Sequence, residues 1–156
     1  MSLWDWAVRA YGRAGVQDIC LSLQDDDGQS VCLLLWAAWR GPVETDDLEA
    51  AVETARTWHR TTIDPLREVR RTLKKPLPDM DDARRLDLRE EVKRVELSAE
   101  RGLLDELDAI AGPPDGSRFE VVTALAAAAR LWGDRTPREA LKTLAGRLPE
   151  PGQSDV

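Results

Sequence analysis

One histidine, two cysteines, six tryptophans and several closely spaced carboxylates are the residues whose types could carry chemistry in this chain. His59 follows Trp58 at the edge of an apolar helical stripe. A histidine there makes an ordinary structural hydrogen bond or, beside a carboxylate, takes part in acid–base transfer. Glu96 is the carboxylate that a helical-hairpin pairing brings close to Trp58 and His59. Burial would raise such a carboxyl into the range where it moves protons, whereas an ion pair with Arg60 or Lys93 would hold it as a plain charge. Trp58, His59 and Glu96 are therefore the candidate lining of a tryptophan-walled pocket.

Other chemistries find less support. Di-iron bundles need Glu-x-x-His on two helices, and a single histidine is present. Cys20, Cys32 and His59 supply only three zinc ligands, without a recognised spacing. Both thiols read as core residues, since free cysteine is among the most buried side chains. The sequence holds no glycine-rich phosphate loop, no G-x-S-x-G elbow and no Cys-x-x-Cys. Serine, histidine and aspartate occur, but no spacing arranges them. No catalytic residue, metal or cofactor is assigned.

Two features point to binding. Six of the eight aromatic residues are tryptophan, a residue enriched at interface hot spots. Trp4 and Trp6 sit two residues apart, so they cannot share one helix face, and one belongs at a rim or interface. The second feature is a basic arc. On a helical wheel Arg56, Arg60, Arg67, Arg70, Arg71 and Lys74 lie away from the apolar stripe, and a tight turn returns Arg84 and Arg85 beside Arg70 and Arg71. Arg67, Arg70, Arg71, Lys74, Arg84 and Arg85 form a candidate docking patch for an acidic protein segment or a phosphate-bearing ligand, because guanidinium groups meet both with a bidentate fork. Asp79, Asp81 and Asp82 neutralise part of it, and the plain alternative is a solvated face of weak ion pairs.

The elements that must position these residues are helical. Ser2 and Asp5 form a capping box at the start of Leu3–Ala14. Val16–Asp25 carries Val16, Ile19, Cys20 and Leu23 on one face. Val31–Trp39 is apolar all round and belongs in the core; periodicity alone allows a buried strand of this length, and the scarcity of β-branched residues favours a helix. In Thr45–Lys75 the stripe Ala51, Ala55, Trp58, Thr62, Leu66, Val69 and Leu73 keeps its phase across Pro65, which favours a kinked continuous helix over the alternative of a fresh helix capped by Asp64 with Pro65 at its first position. In Met80–Ile110 the stripe is Leu88, Val92, Val95, Ala99, Leu103, Leu107 and Ile110. A short link at Pro76-Leu77-Pro78-Asp79 makes the two helices antiparallel and pairs Leu66 with Leu88, Thr62 with Val92, Trp58 with Val95, Ala55 with Ala99 and Ala51 with Leu103. Two shorter helices come next, Phe119–Leu131 and Pro137–Leu148, the second with Thr136 as cap and Glu139 completing its box.

Composition bounds the rest. The 156 residues fit one domain, with 42% hydrophobic and 33% charged residues as in a globular protein with a charged surface. A net charge of −7 argues against nucleic acid as a partner, for which a basic surface is the usual footprint. The N-terminus lacks the pattern of a signal peptide and no apolar run reaches the roughly 20 residues that span a bilayer. These points lead to the expectation of a cytoplasmic protein, and the excess of arginine over lysine fits a GC-rich bacterial genome.

The segments SLWDWA, LQDDDGQSVCLLLW, PLREVRRTLK and VKRVELSAER together resemble an uncharacterised family of small proteobacterial proteins, a domain of unknown function. The resemblance covers roughly Ser2–Ile110. It implies a compact helical fold and bacterial origin, and brings no activity or site. Family members commonly hold asparagine near the position of Cys32, so a polar role there would be lost in this chain.

The expected fold is all-α: a bundle of six to seven helices built on a long antiparallel hairpin. A single domain spans 1–148, with a family-like core at 2–110, a C-terminal helical extension at 117–148 and a flexible tail at 149–156. A non-enzymatic protein-interaction or regulatory domain is the first functional reading. A small-molecule binder or enzyme using the pocket at Trp58, His59 and Glu96 is the second.

Overall fold

A computed structural model of the chain describes residues 1–151. Its elements are α1 (Leu3–Tyr11), α2 (Val16–Asp25), α3 (Val31–Arg40), α4 (Thr45–Trp58), a π turn (His59–Ile63), α5 (Asp64–Thr72), α6 (Asp82–Ile110), α7 (Val121–Trp132) and α8 (Arg138–Arg147). The described residues contain no strand. Counting α4, the π turn and α5 as one unbroken rod gives the seven-helix, all-α bundle expected from the sequence. The last part of the expected flexible tail, residues 152–156, lies outside the described residues, while the Pro149 carbonyl accepts a hydrogen bond from Trp6 Nε1 at 3.2 Å.

α3 is the axis of the core. Every residue from Val31 to Trp39 is buried, as an all-round apolar helix requires. α6 and α7 pack against it, and α1, α2 and α4 also touch it. Ser30 starts the helix by accepting the Leu33 N–H at 3.3 Å. At its other end Gly41 takes φ +79°, and a Cβ there would meet the Phe119 ring at 2.7 Å, so this stop needs glycine twice over. α1 begins with the expected capping box between Ser2 and Asp5. Trp6 is fully buried and Trp4 partly exposed, the division that their spacing demanded. The expected box of Thr136 and Glu139 is absent: Pro137 occupies the cap position of α8 without a side-chain bond.

The long rod resolves how Pro65 is tolerated. A proline has no N–H to give the ladder. Just before it the chain widens into the π turn, where the Asp64 N–H reaches back to the His59 carbonyl. The helix runs on without a break and ends at Thr72, short of the expected Lys75.

The hairpin pairing is corrected. Trp58 does not pack on Val95. Its ring lies against Gly102, where a Cβ would come within 2.7 Å of it, and its Nε1 donates to Glu106 at 2.9 Å. Val95 and Leu88 are exposed at 52% and 45%. Two causes act together. The connection occupies residues 73–81 rather than the four-residue turn assumed, and the π turn adds a residue to one rod but not the other. Near the tip, charged side chains take the seam in place of the apolar stripe. Arg85 Nη1 donates to the Leu73 carbonyl, Arg89 Nε to the Arg70 carbonyl, and Arg67 and Arg70 both reach Glu96.

Candidate functional site

Two concave surfaces lie near the start of α3, and a largely buried ionic chain runs from residues lining one to Glu100 lining the other. That chain of bonds begins at Ser30. Its Oγ lies 2.9 Å from His59 Nε2, and His59 Nδ1 lies 3.0 Å from the Asp64 carboxylate. Asp64 is 3.5 Å from Arg67. Arg67 continues to Glu96 at 3.3 Å and to Glu100 at 3.6 Å, and Arg70 closes on Glu96 at 2.6 Å. The π turn aims His59 inward, where its residue is 7% exposed, so the chain's single imidazole is enclosed.

By distance, Ser30, His59 and Asp64 form the arrangement of a nucleophilic triad, which no sequence spacing revealed. Access argues against that chemistry. Ser30 is 1% exposed, its oxygen already accepts the Leu33 N–H, and it does not line either adjoining cleft. A nucleophile must reach its substrate within hydrogen-bond range. With Nδ1–H donating to the carboxylate, His59 Nε2 accepts from the Ser30 hydroxyl and every polar atom of the trio is satisfied. The trio therefore locks the π turn to the start of α3.

The first concavity is a polar cleft over the π turn, with a volume of about 520 Å³. The end of α2, the turn before α3, the π turn, α5 and Trp132 at the end of α7 enclose it. Arg71 and Asp25 pair across its mouth at 2.9 Å. Trp132 is fixed by three contacts: its Nε1 donates to the Gly28 carbonyl at 2.8 Å, the His59 ring stands edge-on at 5.3 Å, and the Arg56 guanidinium lies 5.9 Å above it.

The second concavity is an apolar groove of about 270 Å³. Trp4, Val8 and Tyr11 of α1 form one bank, Leu97 and Leu104 of α6 the other, and Val31, Cys32 and Leu35 of α3 the floor. Val8 and Leu97 are each 54% exposed. Among the described residues Glu100 is the only charged one in its lining. Burial, then the neighbouring Glu96, holds its carboxyl above the ordinary carboxylate range, against the opposing pull of Arg67 and Arg70. The Arg101 guanidinium stacks on Trp4 at 5.1 Å at the rim.

The site residues expected from the sequence are dispersed. Trp58, His59 and Glu96 do not line one pocket. Trp58 faces Glu106, His59 turns to Ser30 and Asp64, and Glu96 reaches His59's surroundings only through Arg67 and Asp64. Of the basic arc, Arg67 and Arg85 are buried, Arg70 is bound to Glu96 and Arg71 to Asp25, and Lys74 and Arg84 are exposed. Cys20 and Cys32 are buried free thiols. Burial pushes the Cys20 thiol up to about 11, and that of Cys32 higher still, so neither is a reactive thiolate. Among the described residues no cluster of ligand-type side chains is suited to a metal ion, and no helix is long and apolar enough to cross a membrane. Sequence reasoning missed Ser30 and Gln29, and gave Trp132 and Glu100 no defined place in a site. The position of Ser30 one residue ahead of an apolar helix was the only available signal.

The described residues form an all-α helical bundle with an apolar groove between α1 and α6. A family model described as "Protein of unknown function (DUF2390)" matches residues 2–107, and the chain belongs to that family. No curated protein and no solved structure matches it. The groove, from Trp4 to Leu104, lies wholly inside the matched residues, whereas Trp132 of the polar cleft, and Arg135 whose carbonyl holds Gln29, lie beyond them.

Proposed function

We propose that this chain is a non-enzymatic interaction domain that seats an amphipathic helix of a partner protein in the groove between α1 and α6. The observation that carries this reading is the groove itself. Exposed apolar residues on both banks, Val8 and Leu97, flank an apolar floor that no segment of the described chain covers. Apolar surface gathered in a concavity marks a binding surface more strongly than the same residues scattered singly. Trp4 at the rim supplies the kind of large anchor that interfaces favour.

The charge pattern selects the occupant. Among the described residues Glu100 is the one charged group in the lining, and the whole chain is acidic. A helix presenting apolar side chains one turn apart and a lysine or arginine against Glu100 satisfies both features. The basic arc at the hairpin tip is a weaker docking surface, because most of its guanidinium groups are already committed to internal carboxylates and carbonyls.

The test has two steps. Proteins captured by the tagged chain from its native cell are cross-linked, and the contacting peptide of the partner is sequenced. An amphipathic, basic helical segment linked to α1 or α6 supports the reading. Leu97→Glu should then abolish capture and leave the thermal midpoint unchanged, since Leu97 is half exposed. Retained capture by Leu97→Glu, or cross-links confined to the hairpin tip, overturns it.

A further inference from the structure

We infer that the polar cleft over the π turn binds a small organic cation carrying a guanidinium group. The inference is independent of the groove, which lies at the Glu100 end of the ionic chain.

Three observations converge on that chemistry. The first is charge. Asp25 is paired with Arg71 and Asp64 with His59 and Arg67, whereas Glu68, which also lines the cleft, has no ion pair among the described residues. The lining therefore carries one carboxylate in excess. The second is an orphaned acceptor. Gln29 lines the cleft and is 3% exposed. Its Nε2 is committed to the Arg135 carbonyl at 3.1 Å, which fixes the amide orientation, and its Oε1 has no donor. A buried acceptor without a partner costs about 1–3 kcal/mol, so the site favours a ligand rich in N–H groups. The third is the aromatic surface. Trp132 lines the cleft and its indole already holds one guanidinium, that of Arg56, at 5.9 Å. Arg56 itself lies outside the cleft lining, and an indole in the lining attracts a cation.

A guanidinium answers all three demands: positive charge for Glu68, several donors in one plane, and a flat face for the indole. It meets a carboxylate through two parallel hydrogen bonds, which an alkylammonium cannot do. A divalent metal ion fits less well, since no group of ligand-type side chains is gathered there. The cleft volume of about 520 Å³ suits a small metabolite. Trp132 and Arg135 belong to the segment beyond the family match, so the site is a property of chains that carry the C-terminal helices.

The experiment is calorimetric titration of the full chain with agmatine, and with putrescine as a diamine that lacks the guanidinium. The expected result is saturable one-to-one binding of agmatine, at least about tenfold tighter than putrescine. Glu68→Gln, on an exposed position that leaves the fold intact, should weaken agmatine about tenfold or more. Glu139→Gln, a carboxylate outside the cleft lining, should change nothing. Absence of saturable agmatine binding, equal binding of putrescine, or an undiminished Glu68→Gln variant would each overturn the inference.

Discussion

Glu96 offers a direct measure of the charged seam. Its carboxylate accepts from Arg70 Nε at 2.6 Å and from Arg67 Nε at 3.3 Å, with the side chains of Glu96 and Arg67 each 9% exposed. Removing one partner of a buried ion pair costs about 3–5 kcal/mol, because the other charge is left in a poor solvent. Two features soften that cost here. Arg67 keeps Asp64 at 3.5 Å and Glu100 at 3.6 Å, and Arg70 is 23% exposed, so water takes up part of its charge. Glu96→Gln should therefore destabilise the chain by about 2–4 kcal/mol. Urea denaturation followed by circular dichroism reads this as a lower midpoint with an unchanged slope. A quadruple replacement, Arg67→Met with Arg70→Met, Glu96→Leu and Glu100→Gln, removes these charges together. It should unfold within about 1 kcal/mol of the parent or above it, since apolar isosteres commonly match a buried ionic cluster. A loss below about 0.5 kcal/mol in Glu96→Gln would refute the internal seam, for only a hydrated surface pair costs so little.

Other consequences are as specific. Ser30→Ala removes the cap of α3 and leaves His59 Nε2 buried without a partner, and should cost about 2–3 kcal/mol in the same urea titration. Glu100 titrates at its ordinary 4.5 in the unfolded chain and higher in the fold, chiefly through burial. Between those two values the folded state holds a proton that the unfolded state has lost, so stability falls as pH rises through that window. Glu100→Gln should flatten that part of a stability–pH profile. An unchanged slope from 4.5 upward would show that Glu100 does not contribute it. Arg70→Glu should lower the thermal midpoint by placing a second carboxylate beside Glu96, whereas Lys74→Glu on the exposed tip should leave it within the error of a melting curve.

Much of the helix inventory could be read from the sequence because each helix has a local signature. Ser2 with Asp5 announced α1, and the all-round apolar run placed α3 in the core. The stripe on both sides of Pro65 favoured a continuous rod over a fresh helix starting at Asp64, but not the π turn that shifts its phase. The hairpin register could not be read in the same way. A stripe of Leu88, Val92 and Val95 predicts a buried face only if the partner helix offers apolar residues at matching height. Here the widened π turn and the connection at residues 73–81 set that height, and Arg67, Arg70, Arg85 and Arg89 fill the seam between the rod and α6 instead. Arginine fills such a seam well, since its stem packs like an aliphatic chain while its fork reaches carbonyls and carboxylates. Of the arc drawn on the helical wheel, Arg67 and Arg70 thus turn into the hairpin, while Arg56, Arg60, Arg71 and Lys74 stay exposed.

The same π turn explains why the candidate sites were hidden. In a regular α-helix His59 and Ile63 would share one face. One extra residue in the turn rotates the remainder of the rod, so that His59 bonds Ser30 on one side and Asp64 on the other, a relation between positions that no fixed spacing encodes. Both concavities depend on it. His59 holds the start of α3 against the rod, and α3 supplies the floor of the groove through Val31, Cys32 and Leu35. Asp64, held by His59, engages Arg67, which also reaches Glu100 at the groove. A substitution that loosened the trio would therefore be felt at the groove without touching it. For that reason Leu97→Glu, and not a variant of His59, is the clean test of docking.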